Sequence, residues 1–278
     1  MKQLVVSLFC ICAAASAPQN SGELLKDAAN ELQAGKTEAA LALATQAIDK
    51  DNKNVAAYRF RASIYESLDR HKEALADWTR ILELDPRTAE GYQQRGIVQF
   101  KLGRIDASIR DFDRYIELRP DKKVSHWQRG ISYYYAGRYD DGRRQFEGYQ
   151  GYDSNDVENA VWRFMCMARQ DGMARARKDI LKIGDDKRVP MRQVYDMFKG
   201  GLQPDDVLAA ARAGNPPKEQ LNGRLFYAHL YIGIYHDLAG DRKKALDHLS
   251  AAVEHRIGHY MWDVARIHRD LLARPSKQ

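Results

Sequence analysis

The stretch His126–Phe146, HWQRGISYYYAGRYDDGRRQF, carries Trp127, Tyr133, Tyr134, Tyr135 and Tyr139. Rings at that density could grip an aromatic group, a saccharide or an extended polypeptide, because each offers a large apolar face and most carry a polar edge. The same rings could also be the inside of a fold. The elements around them have to decide.

Other residues with chemical potential are fewer. Six of the eight histidines fall after residue 228, and His255 and His259 stand four apart in EHRIGH. On one helix face that pair could begin a metal site. Gly258 interrupts such a helix, however, no third ligand is spaced to join them, and His229 and His236 occupy repeat helix positions. No metal is expected. The acid pairs Asp140-Asp141, Asp185-Asp186 and Asp205-Asp206 sit at turns or helix starts. There free backbone N–H groups and the helix dipole stabilise carboxylates, which makes them caps before catalysts. The sequence contains no nucleophile elbow, phosphate-cradling glycine loop, HExxH or CxxC. The expectation is a chain that is not an enzyme and needs no cofactor.

The 278 residues are 44% hydrophobic and 10% aromatic, ample for a packed core. The net charge is +6, but charges alternate along the chain and no basic run reaches five residues. That describes a mixed, solvated surface and not a nucleic-acid stripe. The N-terminus, MKQLVVSLFCICAAASA, has a lysine, an apolar run from Leu4 to about Ala15 and an A-S-A ending at Ala17. Those are the parts of a secretory signal, so residues 1–17 are expected to be cleaved and the chain to be periplasmic or secreted. Lipidation at Cys10 or Cys12 is the rival, opposed by bulky Phe9 and Ile11 immediately before them. Cys166 is then the one thiol left, in the apolar run VWRFMCMA, and is expected to be a small buried hydrophobe. No segment is long and apolar enough to be read as a membrane span.

What positions the rings is a period. Ala28, Ala62, Gly96 and Gly130 stand 34 residues apart, as do Gly35, Asp69, Gly103 and Gly137. Twelve residues after each first small residue comes Ala40, Ala74, Ser108 or Gly142, and then Trp78, Phe112 and Phe146 in three units. Helical spacing either side of a turn means an antiparallel helix pair, repeated. After Asn155 the period weakens. VENAVWRFMCMARQ reads as a first helix and MARARKDILKIG as a short second one, followed by a helix start at Gln203–Asp206 with Gly214 closing it. The pattern returns in LYIGIYHDLAGDRKKALDHLSAAV, and MWDVARIHRDLLA is an amphipathic helix able to cover the last exposed apolar face.

LDRHKEALADWTRILELDP and LGRIDASIRDFDRYIELRP closely resemble the tetratricopeptide repeat (TPR). Asn52 and Ser154 depart from it where a terminal proline belongs, as do Tyr115 and Tyr149 where alanine is usual. The resemblance implies an all-α TPR solenoid of antiparallel helix pairs with a C-terminal capping helix. Its domains would be a signal over 1–17, four repeats over 18–156, a degenerate helical unit and linker over 157–222, and a last repeat plus cap over 223–274. It also implies a concave groove lined by the first helices. By register that groove would take Arg59, Ser63, Glu66, Gln93, Ile97, Phe100, Trp127, Ile131, Tyr134 and Tyr135, with Gln128 beside them. Tyr133 would point inward and the next two tyrosines toward a partner. Leu25 and Ala29 stand where TPRs that capture a C-terminal carboxylate carry lysine and asparagine, so that mode is not expected. A partner protomer or the chain's own tail could also occupy those positions.

RGISYYYAGR, VWRFMCMARQ and LYIGIYHDLAGD, in that order, are similar to the new lipoprotein I family of bacterial envelope TPR proteins. That resemblance implies a dimeric periplasmic adaptor docking cell-wall hydrolases and a processing protease. The function expected is therefore a non-catalytic exported scaffold binding proteins or peptides in its groove. The alternatives are a self-associating assembly factor and a carbohydrate binder or enzyme using the Trp127 and Tyr134 rings.

Overall fold

The computed structural model describes residues 20–274; the leader-like segment with Cys10 and Cys12 and the final four residues lie outside the described residues. The chain is all-α, and among the described residues there is no strand. It divides into two compact units, one ending at Leu84 and one beginning at Asp85.

The first unit holds two helix pairs, α1 (Ser21–Gln33) with α2 (Thr37–Lys50) and α3 (Val55–Ser67) with α4 (His71–Leu84). Asn20 and Glu23 form a reciprocal capping box that starts α1, each side chain accepting the other's backbone N–H. Asn54 caps α3 in the same sense by accepting from Ala57 N–H. The turns inside the pairs use the left-handed region, at Gly35 (φ 77°) and at Asp69 (φ 57°). Glycine enters that region without a Cβ penalty, and aspartate is among the few side chains that tolerate it.

The second unit continues with α5 (Ala89–Lys101), α6 (Ile105–Leu118), α7 (Trp127–Tyr135) and α8 (Tyr139–Tyr149). The small residues at the 34-residue spacing explain how the paired helices close. A Cβ on Gly96 would lie 2.6 Å from the Phe112 ring, and one on Gly130 would lie 2.6 Å from the Phe146 ring. The absent side chain is filled by an aromatic ring sixteen residues later. The same device returns at Gly233, where a Cβ would meet Leu249 at 2.7 Å. A Cβ on Gly142 would strike the buried Cys166 sulfur at 2.8 Å, and burial holds that thiol's pKa well above its ordinary value.

A second 34-residue series joins the same helices. Arg61 forks onto Asp77, Arg95 forks onto Asp111, and Arg129 donates twice to Gln145, in each case sixteen residues on. Arg163 keeps the spacing but donates to the Asp179 carbonyl instead. Each arginine ties the first helix of a unit to the next stretch of chain, so the repeat has a polar latch beside its apolar one.

After α9 (Val157–Asp171) the regularity ends. The predicted second helix MARARKDILKIG stops early, as α10 (Met173–Lys178). Residues 179–188 run without helix because their backbone is bonded elsewhere: Asp179 O to Arg163, Lys182 O to Gln150, and Gly184 N–H to Ser154 O. The helices α11 (Met191–Lys199) and α12 (Pro204–Arg212) come next, the latter starting where predicted, with Gln203 N–H donating to Asp206. The last pair is α13 (Lys218–Leu238) and α14 (Arg242–Glu254), and α15 (Tyr260–Ala273) ends the described chain.

The helix α15 packs on α14, as a cap would, and also lies across α5 and α7. Phe100 stacks on Tyr260 at 4.9 Å, and Arg266 donates to the Lys101 carbonyl. The aromatic face of α5 and α7 is therefore covered from within the chain.

Candidate functional site

That covering corrects the expected groove. Phe100, Ile131 and Tyr134 are 0%, 1% and 5% exposed, packed in the core of the second unit. Tyr134 therefore does not face a partner: it lies edge-on to Trp162, and its hydroxyl accepts from Arg169. Tyr135 is half-buried and bonds His268 Nδ1 at 3.0 Å. Tyr133 is inward as predicted, its hydroxyl donating to Asp113. Ile97 packs half-buried against the same core. The reason is that Tyr260 and His268 of α15 cover Phe100 and Tyr135, while Trp162 and Arg169 of α9 cover Tyr134.

Other expected positions are occupied differently. Gln93 bonds the His126 Nε2 at 2.6 Å, which orients that ring to cap α7 through its Nδ1. Glu66 accepts the indole N–H of Trp78 at 2.7 Å. Arg59 and Ser63 are exposed on α3, and Gln128 is half-buried on α7. Of the predicted set, Trp127 and Ile131 line one cavity and Tyr134 and Tyr135 a smaller one of about 180 Å³ against α15, and the rest do not converge on either.

Tyr135, His268 and Asp237 form a chain of hydrogen bonds, with His268 Nε2 at 2.9 Å from Asp237 and Arg169 completing the circuit to Tyr134. The order hydroxyl–imidazole–carboxylate is that of a catalytic relay. Burial raises both tyrosines' pKa values, and the two hydroxyls are already bonded, Tyr134 to Arg169 and Tyr135 to His268. The circuit joins α15 to α7, α9 and α13 and acts as a fastening.

The cavity lined by Trp127 and Ile131 has a volume of about 220 Å³ and lies wholly within the second unit. Trp127 and Ile131 of α7, Phe146 and Tyr149 of α8, and Trp162 of α9 form its apolar walls, with Tyr227 of α13 and His259 at the start of α15. Trp127 stacks on His259 at 6.1 Å and stands edge-on to Tyr260 at 5.3 Å. Two lining residues are incompletely bonded: the Asn159 side-chain oxygen and the Trp162 indole N–H are buried with no hydrogen-bond partner.

The remaining wall is charged. Asp156 caps α9, and Glu158 follows in its first turn. Arg188, brought in by the non-helical segment, contacts Asp156, Glu158 and Asp186 at 2.6 Å each. Glu158 also accepts the Tyr231 hydroxyl at 2.6 Å. Three carboxylates thus meet one guanidinium. Burial raises the Glu158 carboxyl above its ordinary pKa, against the opposing pull of Arg188. Burial also raises the Tyr227 phenol, helped by the negative charge of Glu158. For Arg188, burial works against the charge, but bonding to Asp186 and the fields of Glu158 and Asp156 outweigh it and raise its pKa.

Asp156, Glu158, Asn159, Arg188 and Tyr227 were not among the predicted site residues. Asp156, Glu158, Asn159 and Arg188 come from the part of the chain where the period fails and Tyr227 from the helix of the last repeat, and only the fold brings them together. The one signal available was the Asp-x-Glu start of the helix after Ser154, which reads as a cap. The histidines separate as the interrupting Gly258 implied: His255 follows α14 and stacks on His229, while His259 caps α15. Among the described residues, no group of three or more His, Cys, Asp or Glu side chains is placed to hold a metal ion. No helix among them is long and apolar enough to cross a membrane.

Two family models, each described as a tetratricopeptide repeat, match residues 26–89 and 62–127. No curated protein matches the chain. Among solved structures, a tetratricopeptide repeat protein from Parabacteroides merdae ATCC 43184 is similar at 20% identity and a TM-score of 0.54, covering 93% of this chain and 86% of that one. MamA 41-end from Desulfovibrio magneticus RS-1 is similar at 14% identity and a TM-score of 0.52, covering 58% of this chain and 92% of that one. At such identities the likeness concerns the fold.

Proposed function

The chain is a tetratricopeptide-repeat protein, and from that premise we propose that it is an exported, non-catalytic scaffold that binds a segment of a partner protein at the cavity beside Trp127. The observation that carries this reading is the cavity itself. Helices and the non-helical segment of the second unit contribute an aromatic wall, a charged wall and two polar groups without partners. Concave sites of that make-up recognise ligands by area on one side and oriented polarity on the other. Export is supported by the charged, apolar and small-residue parts of residues 1–17. Docking of cell-envelope hydrolases or of a processing protease is the finer form of the proposal, supported by the family resemblance of the middle and C-terminal segments.

A carbohydrate-binding role fits less well. The cavity volume of about 220 Å³ falls below the roughly 300–1,000 Å³ of pockets that hold whole small molecules. It suits a side chain, with the rest of the ligand outside.

Site-specific photo-crosslinking in an envelope extract tests the proposal. A photoreactive residue replacing Gln128 or Tyr227 should give discrete adducts with a partner polypeptide. The same residue at exposed Arg114 or Lys243 should not. Equal adducts from all four positions would overturn the assignment of the binding face.

A further inference from the structure

The charge on the cavity wall specifies more than a protein ligand. Asp156, Glu158 and Asp186 present three formal negative charges to the single positive charge of Arg188. The guanidinium is already shared among all three, so it has little left to offer an anion. The same cavity is lined by the aromatic side chains Trp127, Tyr149, Trp162 and Tyr227. An aromatic face attracts a cation through its quadrupole, and a carboxylate attracts it through charge. Both walls of one small cavity therefore favour the same sign.

We propose that this cavity receives a basic side chain, arginine before lysine, projecting from a segment of the partner protein. The inference rests on the cavity being the binding face proposed above. Arginine fits better because its planar guanidinium can lie against flat rings while its N–H fork reaches carboxylate oxygens, whereas a lysine ammonium acts as a point charge. The orphan Asn159 oxygen belongs to the same wall and is an acceptor, as a guanidinium requires. The exposed position of Arg188 and His259 leaves that end of the cavity open to a chain arriving from outside.

The test uses the full chain and a set of capped glycine-flanked peptides whose central residue is arginine, lysine, citrulline or glutamate. Citrulline has nearly the shape of arginine without its charge. Binding is followed by calorimetry, with tryptophan fluorescence as a second readout. The arginine peptide should bind saturably and at least tenfold tighter than the citrulline peptide, with lysine between them and glutamate weakest. Raising salt from 50 to 500 mM should weaken the arginine peptide several-fold and leave the citrulline peptide unchanged. Citrulline or glutamate binding as tightly as arginine would overturn the charge assignment while leaving the scaffold reading intact. Absence of saturable binding by every peptide up to 10 mM would overturn both. The Glu158→Gln variant should cut arginine affinity by about tenfold while the citrulline affinity stays constant. The peptide comparison on the unmodified chain stands even if that variant folds poorly.

Discussion

The rings of Phe100 and Tyr260 stack with centroids 4.9 Å apart and an interplanar angle of 27°. This contact joins the third helix pair to the last described helix and converts a face read as a binding groove into core. Trp127 and Tyr135 are held by the same helix, through Tyr260 and His268. What a ligand would have met on α5 and α7 is met by α15 instead.

Replacing Tyr260 with alanine should therefore destabilise the chain by about 3 kcal/mol, the range for removing a large buried aromatic side chain. Deleting α15 altogether should expose Phe100, Tyr134 and Tyr135 and produce strong binding of a hydrophobic dye. Urea unfolding and dye fluorescence measure the two effects. A truncated chain with unchanged midpoint and no dye signal would mean that α15 is not part of the core.

The arginine series makes a second, sharper demand. Asp111 is 5% exposed, and the Arg95 fork accounts for two of its hydrogen bonds, at 2.7 and 2.8 Å. Gln99 also donates to Asp111, so removing the arginine leaves that charge only partly compensated, at a cost of about 1.5–3 kcal/mol. Arg95→Ala should lose stability on that scale. The double change Arg95→Met with Asp111→Leu should recover most of it, since a packed apolar pair is often as stable as a buried ionic one. Chemical denaturation of the three chains checks the order. A single variant as stable as the parent would show that the fork contributes only geometry.

Much of this was legible before any coordinate. The spacing of Gly96, Gly130 and Gly233 announced close helix approach, and Gly35, Asp69, Gly103 and Gly137 all adopt the positive φ their turn position requires. The latch series Arg61, Arg95, Arg129 and Arg163 was present at the same period and went unread, because charged residues at helical spacing look like a solvated face. The burial of Tyr134 was not legible. Register within one repeat says which way a side chain leaves its helix, but not what distant element arrives to cover it. The cavity's charged wall was hidden for the same reason: Asp156 and Glu158 meet Arg188 only because residues 179–188 fold back beside α9.

The glycine at position 130 can be tested alone. An added Cβ would lie 2.6 Å from the Phe146 ring, which is itself 1% exposed and stacked on Trp162. The ring is held by Trp162 and is otherwise enclosed except where it borders the cavity beside Trp127, so it can yield only in that direction. Gly130→Ala should cost about 1–3 kcal/mol through overpacking, despite alanine's better helix propensity. Pairing it with Phe146→Leu should return part of that loss, because the smaller side chain vacates the contact. Thermal unfolding of single and double variants gives the coupling. Strict additivity of the two changes would show that the glycine and the ring do not meet.

The buried histidines should make the fold sensitive to acid. Burial holds the His126 imidazole down at about pH 4, and its Nδ1 is engaged as an acceptor capping α7. His229 is likewise lowered to about 4, by burial first and then by His248, whose Nδ1 lies 3.0 Å from its own. His236 stacks on His248, and His255 stacks on His229, so the four rings form a run along α13 and α14. Arg212, Lys244, Asp205, Asp241, Asp247 and Glu254 are the charged groups that act on this run. A histidine whose folded pKa is depressed binds fewer protons folded than unfolded, so its contribution is complete above the ordinary value of 6.5. That contribution fades as pH falls from 6.5 toward about 4. Stability should therefore be flat between pH 7 and 8 and decline progressively between pH 6.5 and 4. A His229→Gln variant should decline less over that window, having one fewer imidazole to protonate beside another. Urea midpoints at half-unit pH steps decide the matter. A parent chain equally stable at pH 7 and pH 4.5, or a variant with the parent's full slope, would show that these rings are already free to take up protons in the folded state.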